Sequence, residues 1–517
     1  MNHEAESLDA SIYGLDLASC QSGTQADTLD YIRRWADNSS TQKQLLWLSG
    51  DKGIGKTTIS VTMTREWADR NVLGGRFFFS QDARITSTTQ AFCVSIARDM
   101  AAHIPSLQPA IDAAIGDGRI FSHCDLEQQF RKLVIEPLEQ HGQSAIVVVD
   151  GLDRISSDIM RDQLLSCLLK NLPRAQKLKV LLSARPLVDI EDTLGKSDLV
   201  ERYDIHQLAI SDSTIHPDVS LYIERYLGEF REDEKTTVAT LSQGQFLWLS
   251  TAVVMLKDSR QKEEIIQKMV NIDGLHHLDG LYHIALADAE HPMWPAGLLM
   301  NLLRILTGSF EPLSLISLCS LLRIPDKGRS TVEILLRVLR GLVVAGDANL
   351  PVRIRHADIR DFFMDPARSK EFYLDEPDSH CLLALASLDL LEPHLHYNIR
   401  RVEVSGTLPW NDEIPRSSED SRSILNPTVA YASSYLPFHI GKALKETKVV
   451  TAATRFLREQ FLCWAELMSW RGCTEEAIEA LSYMETTLQS QNPLSGDLLV
   501  SLMIIMHLVI LTIAAGA

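Results

Sequence analysis

Leu45-Leu46-Trp47-Leu48-Ser49-Gly50-Asp51-Lys52-Gly53-Ile54-Gly55-Lys56-Thr57-Thr58-Ile59-Ser60 reads as an apolar strand, a glycine-punctuated loop and the start of a helix. Gly50 to Thr57 fits the pattern G-x-x-x-x-G-K-[ST]. Glycines let the backbone wrap a phosphate with its N–H groups turned inward. The helix that follows adds the positive end of its dipole. In this pattern Lys56 reaches the β- and γ-phosphates and the Thr57 hydroxyl ligates Mg²⁺. Gly50, Asp51, Lys52, Gly53, Ile54, Gly55, Lys56, Thr57 and Thr58 are therefore the candidate cradle for a nucleotide and its cation.

Such a loop needs a further carboxylate at the end of a buried strand to hold the cation. Ser144-Ala145-Ile146-Val147-Val148-Val149 leads straight into Asp150. A charge in that place sits at the carboxyl edge of a sheet, where ligands bind. Asp150 is the candidate Mg²⁺ ligand beside Thr57, and Asp153 follows three residues later. The plain alternative is that both are ordinary strand-to-helix turn residues. A third piece is Leu181-Leu182-Ser183-Ala184-Arg185-Pro186. Arg185 ends another buried strand, where a cation senses a γ-phosphate or stabilises charge in a transition state. Its alternative is a surface arginine at a loop start. Asp153 and Arg185 are the candidate catalytic residues.

Outward from these motifs, five apolar runs alternate with helical patterns: 45–49, 76–80, 144–150, 178–184 and about 199–205. Ile59, Met63 and Trp67 share one helical face, as do Phe92, Ile96 and Met100 before Pro105. Strands alternating with helices predict a five-stranded parallel sheet covered on both faces. Beyond residue 210 strand signals thin, and 218–229 and 246–256 read as helices. Between Pro312 and Phe363 the pattern is helix, helix, β-hairpin, helix, the outline of a winged helix. Its second helix is expected to open on a capping box from Ser330 to Glu333 and to carry Ile334, Leu335, Val338 and Leu342. The stretch 405–426, rich in Pro, Ser and acids, reads as an exposed loop, and the remainder to about 491 as helical. No fixed-period repeat is visible. The expected domains are a short segment 1–24, an NTPase domain 25–210, a helical lid 211–275, a winged helix 276–375, a helical domain 376–495 and an apolar tail 498–517.

At 517 residues the chain is too long for one core. Its net charge of −18 argues against a general nucleic-acid binder. Residues 329–370 hold eight Lys/Arg against five Asp/Glu, a weak footprint on such a chain. Eight scattered cysteines without a CxxC pattern suit reduced thiols and give no zinc signature. The acidic start lacks an apolar signal segment, so the expected location is the cytoplasm. The uncharged run 498–517 is long enough to span a bilayer, which makes a tail-anchored protein the alternative. The sixteen histidines form no metal motif, so Mg²⁺ accompanying the nucleotide is the one metal expected.

The three nucleotide motifs, in this order, resemble the NACHT class of STAND signalling NTPases, and more closely the NACHT or nephrocystin-type P-loop proteins of basidiomycete fungi. Cys20 to Thr24 with Trp35, Phe77 to Ser80, Ile104 to Leu107, Gln129-Phe130, Gly151, Ser183 to Pro186 and Gln243 to Phe246 have counterparts there, and so does Arg355 to Pro366 late in the chain. The resemblance implies a switch in which the NTPase core, lid and winged helix close on ADP and open on exchange for ATP, driving self-association or partner binding. It implies ATP/ADP, with GTP as the alternative base, and assigns His356 to the β-phosphate of the resting nucleotide, or else to packing at the wing. Three departures stand out. Arg154 replaces the Glu that activates water, and a guanidinium is no general base at neutral pH. No effector domain fits into the first twenty residues. No sensor repeats follow, and the apolar tail stands in their place. The reading this favours is a slow signalling ATPase in fungal innate immunity or non-self recognition. A non-hydrolysing nucleotide-binding scaffold and a winged-helix DNA-binding regulator are the alternatives.

Overall fold

The computed structural model describes residues 18–38, 41–79, 89–116, 125–142, 144–155, 157–205, 216–257, 261–272, 277–292, 294–346, 348, 350–397, 399 and 426–491. Of the expected loop at 405–426 all but Asn426, the N-cap of a helix, lies outside them, as does the apolar run 498–517. Among the described residues no helix is long and apolar enough to cross a membrane. The chain divides into two compact units, one reaching to Leu281 and one beginning at Tyr282.

The first unit is built on a parallel sheet of β1 (Leu45–Ser49), β2 (Leu73–Phe78), β3 (Ala145–Asp150), β4 (Leu178–Ala184) and β5 (Val200–Asp204). Its order is β2-β3-β4-β1-β5. The fold class read from the sequence is the one observed. Because side chains alternate along a strand, the sheet feeds two cores. Trp47, Val147, Val149, Val180 and Leu182 join Phe92, Ile96, Met100, Leu164 and Leu168 on one face. Leu46, Leu48, Ile146, Val148 and Leu181 join Ile32, Trp35, Ile59, Met63 and Trp67 on the other. The chain leaves β1 towards β2 and leaves β4 towards β5, in opposite directions along the sheet. That makes the carboxyl ends of β1 and β4 the place where a crevice opens.

The start of β2 differs most from expectation. β2 starts at Leu73 and runs through Gly74 and Gly75, ahead of the apolar run at 76–80. Both glycines are there for lack of room. A Cβ on Gly74 would lie 2.5 Å from the Ala145 Cβ, and one on Gly75 would lie 3.2 Å from the Ile96 backbone oxygen. The register slips between Leu73 and Gly75, so Leu73 packs into one core and Phe77 into the other.

After β5, helices Pro217–Leu227, Glu232–Ser242, Phe246–Lys257 and Lys262–Val270 follow. Gln243 and Gly244 both take positive φ in the turn that aims the third of these. The lead-in residues return to this group: the Gln25 N–H donates to the Asp218 carboxylate at 2.9 Å, and the Gln21 side chain to the Leu221 carbonyl at 3.2 Å.

In the second unit, β6 (Leu313–Ser314), helix Leu315–Leu321, helix Arg329–Val338, β7 (Val343–Val344), β8 (Pro351–Ile354) and helix Ala357–Met364 follow in order. The three strands pair antiparallel as β6-β8-β7. These are the elements of the winged-helix outline, with a small strand added ahead of its first helix. The expected capping box does not form. A 3-10 turn, Asp326–Gly328, runs straight into the helix, so Gly328 is the N-cap and Ser330 already lies inside. The buried face there is Val332, Leu335, Leu336 and Leu339, while Ile334 is exposed. Helices Glu376–Leu391, Pro427–Lys442, Thr447–Glu459, Phe461–Arg471 and Thr474–Gln491 complete the unit around Leu391, Leu436, Phe456 and Trp464.

Candidate nucleotide-binding site

The loop between β1 and helix Lys56–Asp69 needs φ angles that only glycine adopts without strain: +79° at Gly53 and +104° at Gly55. Gly55 is the N-cap of that helix. Ile54 turns away from the loop and is buried in the core beneath it. Gly53 also lies against the helix Phe246–Lys257. The Leu247 N–H donates to the Gly53 carbonyl at 3.2 Å, and a Cβ on Gly53 would lie 2.8 Å from that of Leu247. Asp51 is exposed, Lys52 half-buried, and the Thr58 carbonyl accepts from the Thr62 hydroxyl one turn on at 2.7 Å.

The Lys56 ammonium folds back over the loop and donates to the carbonyls of Gly50 at 2.6 Å and Asp51 at 2.8 Å. Burial pushes its pKa down, while Asp153 and Asp150 pull it up. Desolvation disfavours the cation, so an anion that replaces lost water is strongly attracted there.

Asp150 is fully buried at the end of β3. Its Oδ2 accepts from the Thr57 hydroxyl at 2.8 Å and its Oδ1 from the Ser183 hydroxyl at 2.5 Å. The Ser183 oxygen in turn accepts the Gly151 N–H at 3.1 Å. A buried carboxylate needs such partners to stay charged. Thr57 and Asp150 present hard oxygens side by side, the donor chemistry that Mg²⁺ takes, so the residues fit the ion.

Asp153 and Arg185, expected to act on substrate, hold each other. Arg185 Nε donates to Asp153 Oδ2 at 2.6 Å, and the Arg185 backbone N–H to Oδ1 at 3.1 Å. With both oxygens engaged, Asp153 pins the end of β4 to the turn after β3. Arg154, on a 3-10 turn opened by Gly151 at φ +74°, folds back towards the loop. Its Nη1 donates to the Phe79 carbonyl at 2.7 Å and its Nη2 to the Thr57 hydroxyl at 3.1 Å, with Asp150 Oδ2 3.9 Å away.

The structure thus gathers Gly50 to Thr58, Asp150, Asp153 and Arg185 at one sheet edge. His356 belongs to the second unit. There its Nδ1 accepts the Asp358 N–H at 3.1 Å as the N-cap of helix Ala357–Met364. Sequence reasoning missed three contributors: Ser183, Leu247 and the Phe79 carbonyl. Only Ser183 carried a signal, a lone hydroxyl in the apolar run of β4.

Residues 22–185 match the family described as Nephrocystin 3, N-terminal. The chain is 24% identical over 503 residues to the vegetative incompatibility protein HET-E-1 of Podospora anserina. That alignment covers 88% of this chain and 35% of the relative, so the chain spans about a third of the relative's length. Among solved structures it is similar to a Walker-type ATPase of Pyrococcus abyssi, at 14% identity over 66% of this chain and 97% of that one, with TM-score 0.37. It is also similar to a STAND protein with a tetratricopeptide repeat sensor from Pyrococcus horikoshii, at 15% identity over 90% and 64%, with TM-score 0.38. At those scores neither bears on function. Residues 22–185 are thus similar to that family, and the chain more broadly to the fungal relative.

Proposed function

We propose that this chain is a nucleotide-controlled switch with slow ATP turnover, alternating between ADP- and ATP-bound forms in fungal non-self recognition or innate-immune signalling. The observation that carries the reading is the division of labour at the sheet edge. Lys56, Thr57, Asp150 and Ser183 meet there, an arrangement that supports a cradle for a phosphate and its cation. Asp153, the candidate proton acceptor, has both of its oxygens held by Arg185. A site built to hold, with its proton acceptor tied down, suits a state that persists. The name of the fungal relative supplies the biological setting.

In this reading the exposed loop amides and the Lys56 ammonium bind the phosphates. Mg²⁺, when bound, would neutralise phosphate charge beside Thr57 and Asp150. Arg185 would sense the γ-phosphate only after release from Asp153. His356 would meet the resting nucleotide's β-phosphate, and exchange for ATP would favour self-association or partner binding. The seven described cysteines, all free, suit a reducing compartment such as the cytoplasm.

The test is nucleotide content and phosphate release on the purified full chain, with Lys56→Ala and Arg154→Glu beside it. Co-purified ADP that is lost in Lys56→Ala, with turnover raised by Arg154→Glu, supports the switch. Bound nucleotide with no turnover in any variant favours a non-hydrolysing scaffold. Absence of ATP, ADP and GTP affinity rejects the nucleotide reading.

A further inference from the structure

The Thr57 hydroxyl has one proton and two lone pairs. The proton goes to Asp150 Oδ2, which leaves the lone pairs for a cation. In this chain a protein cation is already there: Arg154 Nη2 donates to that oxygen at 3.1 Å and lies 3.9 Å from Asp150 Oδ2. The placement is built in three ways. Gly151 lacks the Cβ that would lie 2.9 Å from Arg154 Nε. The Gly151 φ of +74° sets the turn that returns the side chain. The Phe79 carbonyl fixes the other guanidinium nitrogen at 2.7 Å.

We propose that Arg154 is a tethered counter-cation that takes the place of the divalent ion beside Thr57 and Asp150, so that this chain retains a nucleoside diphosphate without Mg²⁺. The inference rests on the nucleotide-binding reading above and deepens it. The guanidinium supplies positive charge where a metal would otherwise sit, and a divalent ion entering there meets a fixed like charge. Arg154 thus has a role besides the missing base: it governs which cation accompanies the nucleotide. Mg²⁺ gains access only when the Arg154 side chain swings away from Thr57.

The experiment measures ADP affinity of the nucleotide-stripped full chain by calorimetry, in EDTA and in Mg²⁺, and Mn²⁺ occupancy by electron paramagnetic resonance with ADP present. The expected result is that affinity in EDTA and in Mg²⁺ agrees within about threefold, and that Mn²⁺ binds weakly. Arg154→Gln should lose about tenfold or more of its affinity in EDTA, the size of one charge-assisted contact, and recover it with Mg²⁺. That variant should also bind Mn²⁺ tightly with ADP. Arg154→Lys keeps a charge without the fork that bridges Phe79 and Thr57, and is expected to fall between. Wild-type affinity that rises about tenfold or more with Mg²⁺ overturns the proposal even if no variant folds. Loss of ADP binding by the wild type under both conditions overturns the nucleotide reading instead, so the two failures are distinct.

Discussion

At the residue scale, the site depends on keeping one buried carboxylate charged and aimed. Asp150 is fully buried, and Ser183 is its partner on the side away from the loop. Ser183→Ala removes the donor to Oδ1, while the Gly151 N–H keeps its second acceptor, the Ser183 carbonyl at 3.1 Å. Leaving a buried charged group short of a partner costs about 1.5–3 kcal/mol. We expect a lower melting temperature and weaker nucleotide affinity in this variant, with Ser183→Thr largely restoring both. Full stability in Ser183→Ala, measured by thermal denaturation, would show that Asp150 is held by Thr57 alone. The same cluster shows what a sequence discloses. Lys56, Thr57 and Asp150 are legible because the phosphate chemistry demands those types at those spacings. The pairing of Asp153 with Arg185 is not legible, because each stands alone in its motif and the sheet order brings them together.

At the element scale, the strands were legible where apolar runs were uninterrupted and illegible where close packing demanded glycine. β1 and β4 are observed over the very residues read from their patterns. β2 begins three residues ahead of its apolar run, because Gly74 and Gly75 add no apolar side chain to the pattern and are required by the close approach of Ala145 and Ile96. Similarly, the Ser330–Glu333 box was undone by a turn whose residues, Asp326 to Gly328, show no helical period. The phosphate loop meets another element at Gly53. Gly53→Ala sets a side chain against Leu247 and forces a positive φ on a residue with a Cβ, worth about 1–2 kcal/mol of strain. The helix Phe246–Lys257 should loosen first, since its Leu247 N–H is bonded to the Gly53 carbonyl. Hydrogen exchange at that amide is expected to quicken while amides of β1 and β4 stay protected. Equal acceleration throughout the sheet would mean that Gly53 serves the loop and not its contact with the helix.

At the scale of the whole molecule, the two units differ in what they bury, and the second carries an acid-sensitive core. His380 Nδ1 lies 2.8 Å from His439 Nδ1, and His439 Nε2 lies 2.9 Å from the Tyr431 hydroxyl. Glu376 lies 3.5 Å from His380 Nε2 and accepts from Lys442. With Glu376 ionised, one proton pattern satisfies the chain with both rings neutral. Tyr431 donates to His439, His439 Nδ1–H donates to His380, and His380 Nε2–H donates to Glu376. Charging both rings would set two N–H groups face to face. Burial pushes the His380 pKa down, with Lys442 and Arg360 adding to it and Glu376 opposing. The unfolded chain therefore takes up a proton near the ordinary value of about 6.5 that the folded unit resists. Stability should fall as pH drops below that value and level off once the folded ring also protonates. Glu376 extends the trend, because its hydrogen bond to His380 and then Lys442 hold its pKa at about 2. The stability it contributes above the unfolded carboxylate range of about 4.3 is lost as pH falls towards that folded value. Calorimetric melts of wild type and His380→Gln from pH 7.5 to 5.5 separate the two groups, since Glu376 stays ionised throughout that window. The wild type should lose thermal stability across it and the variant should lose less. Parallel slopes would place the acid sensitivity in a group other than this histidine.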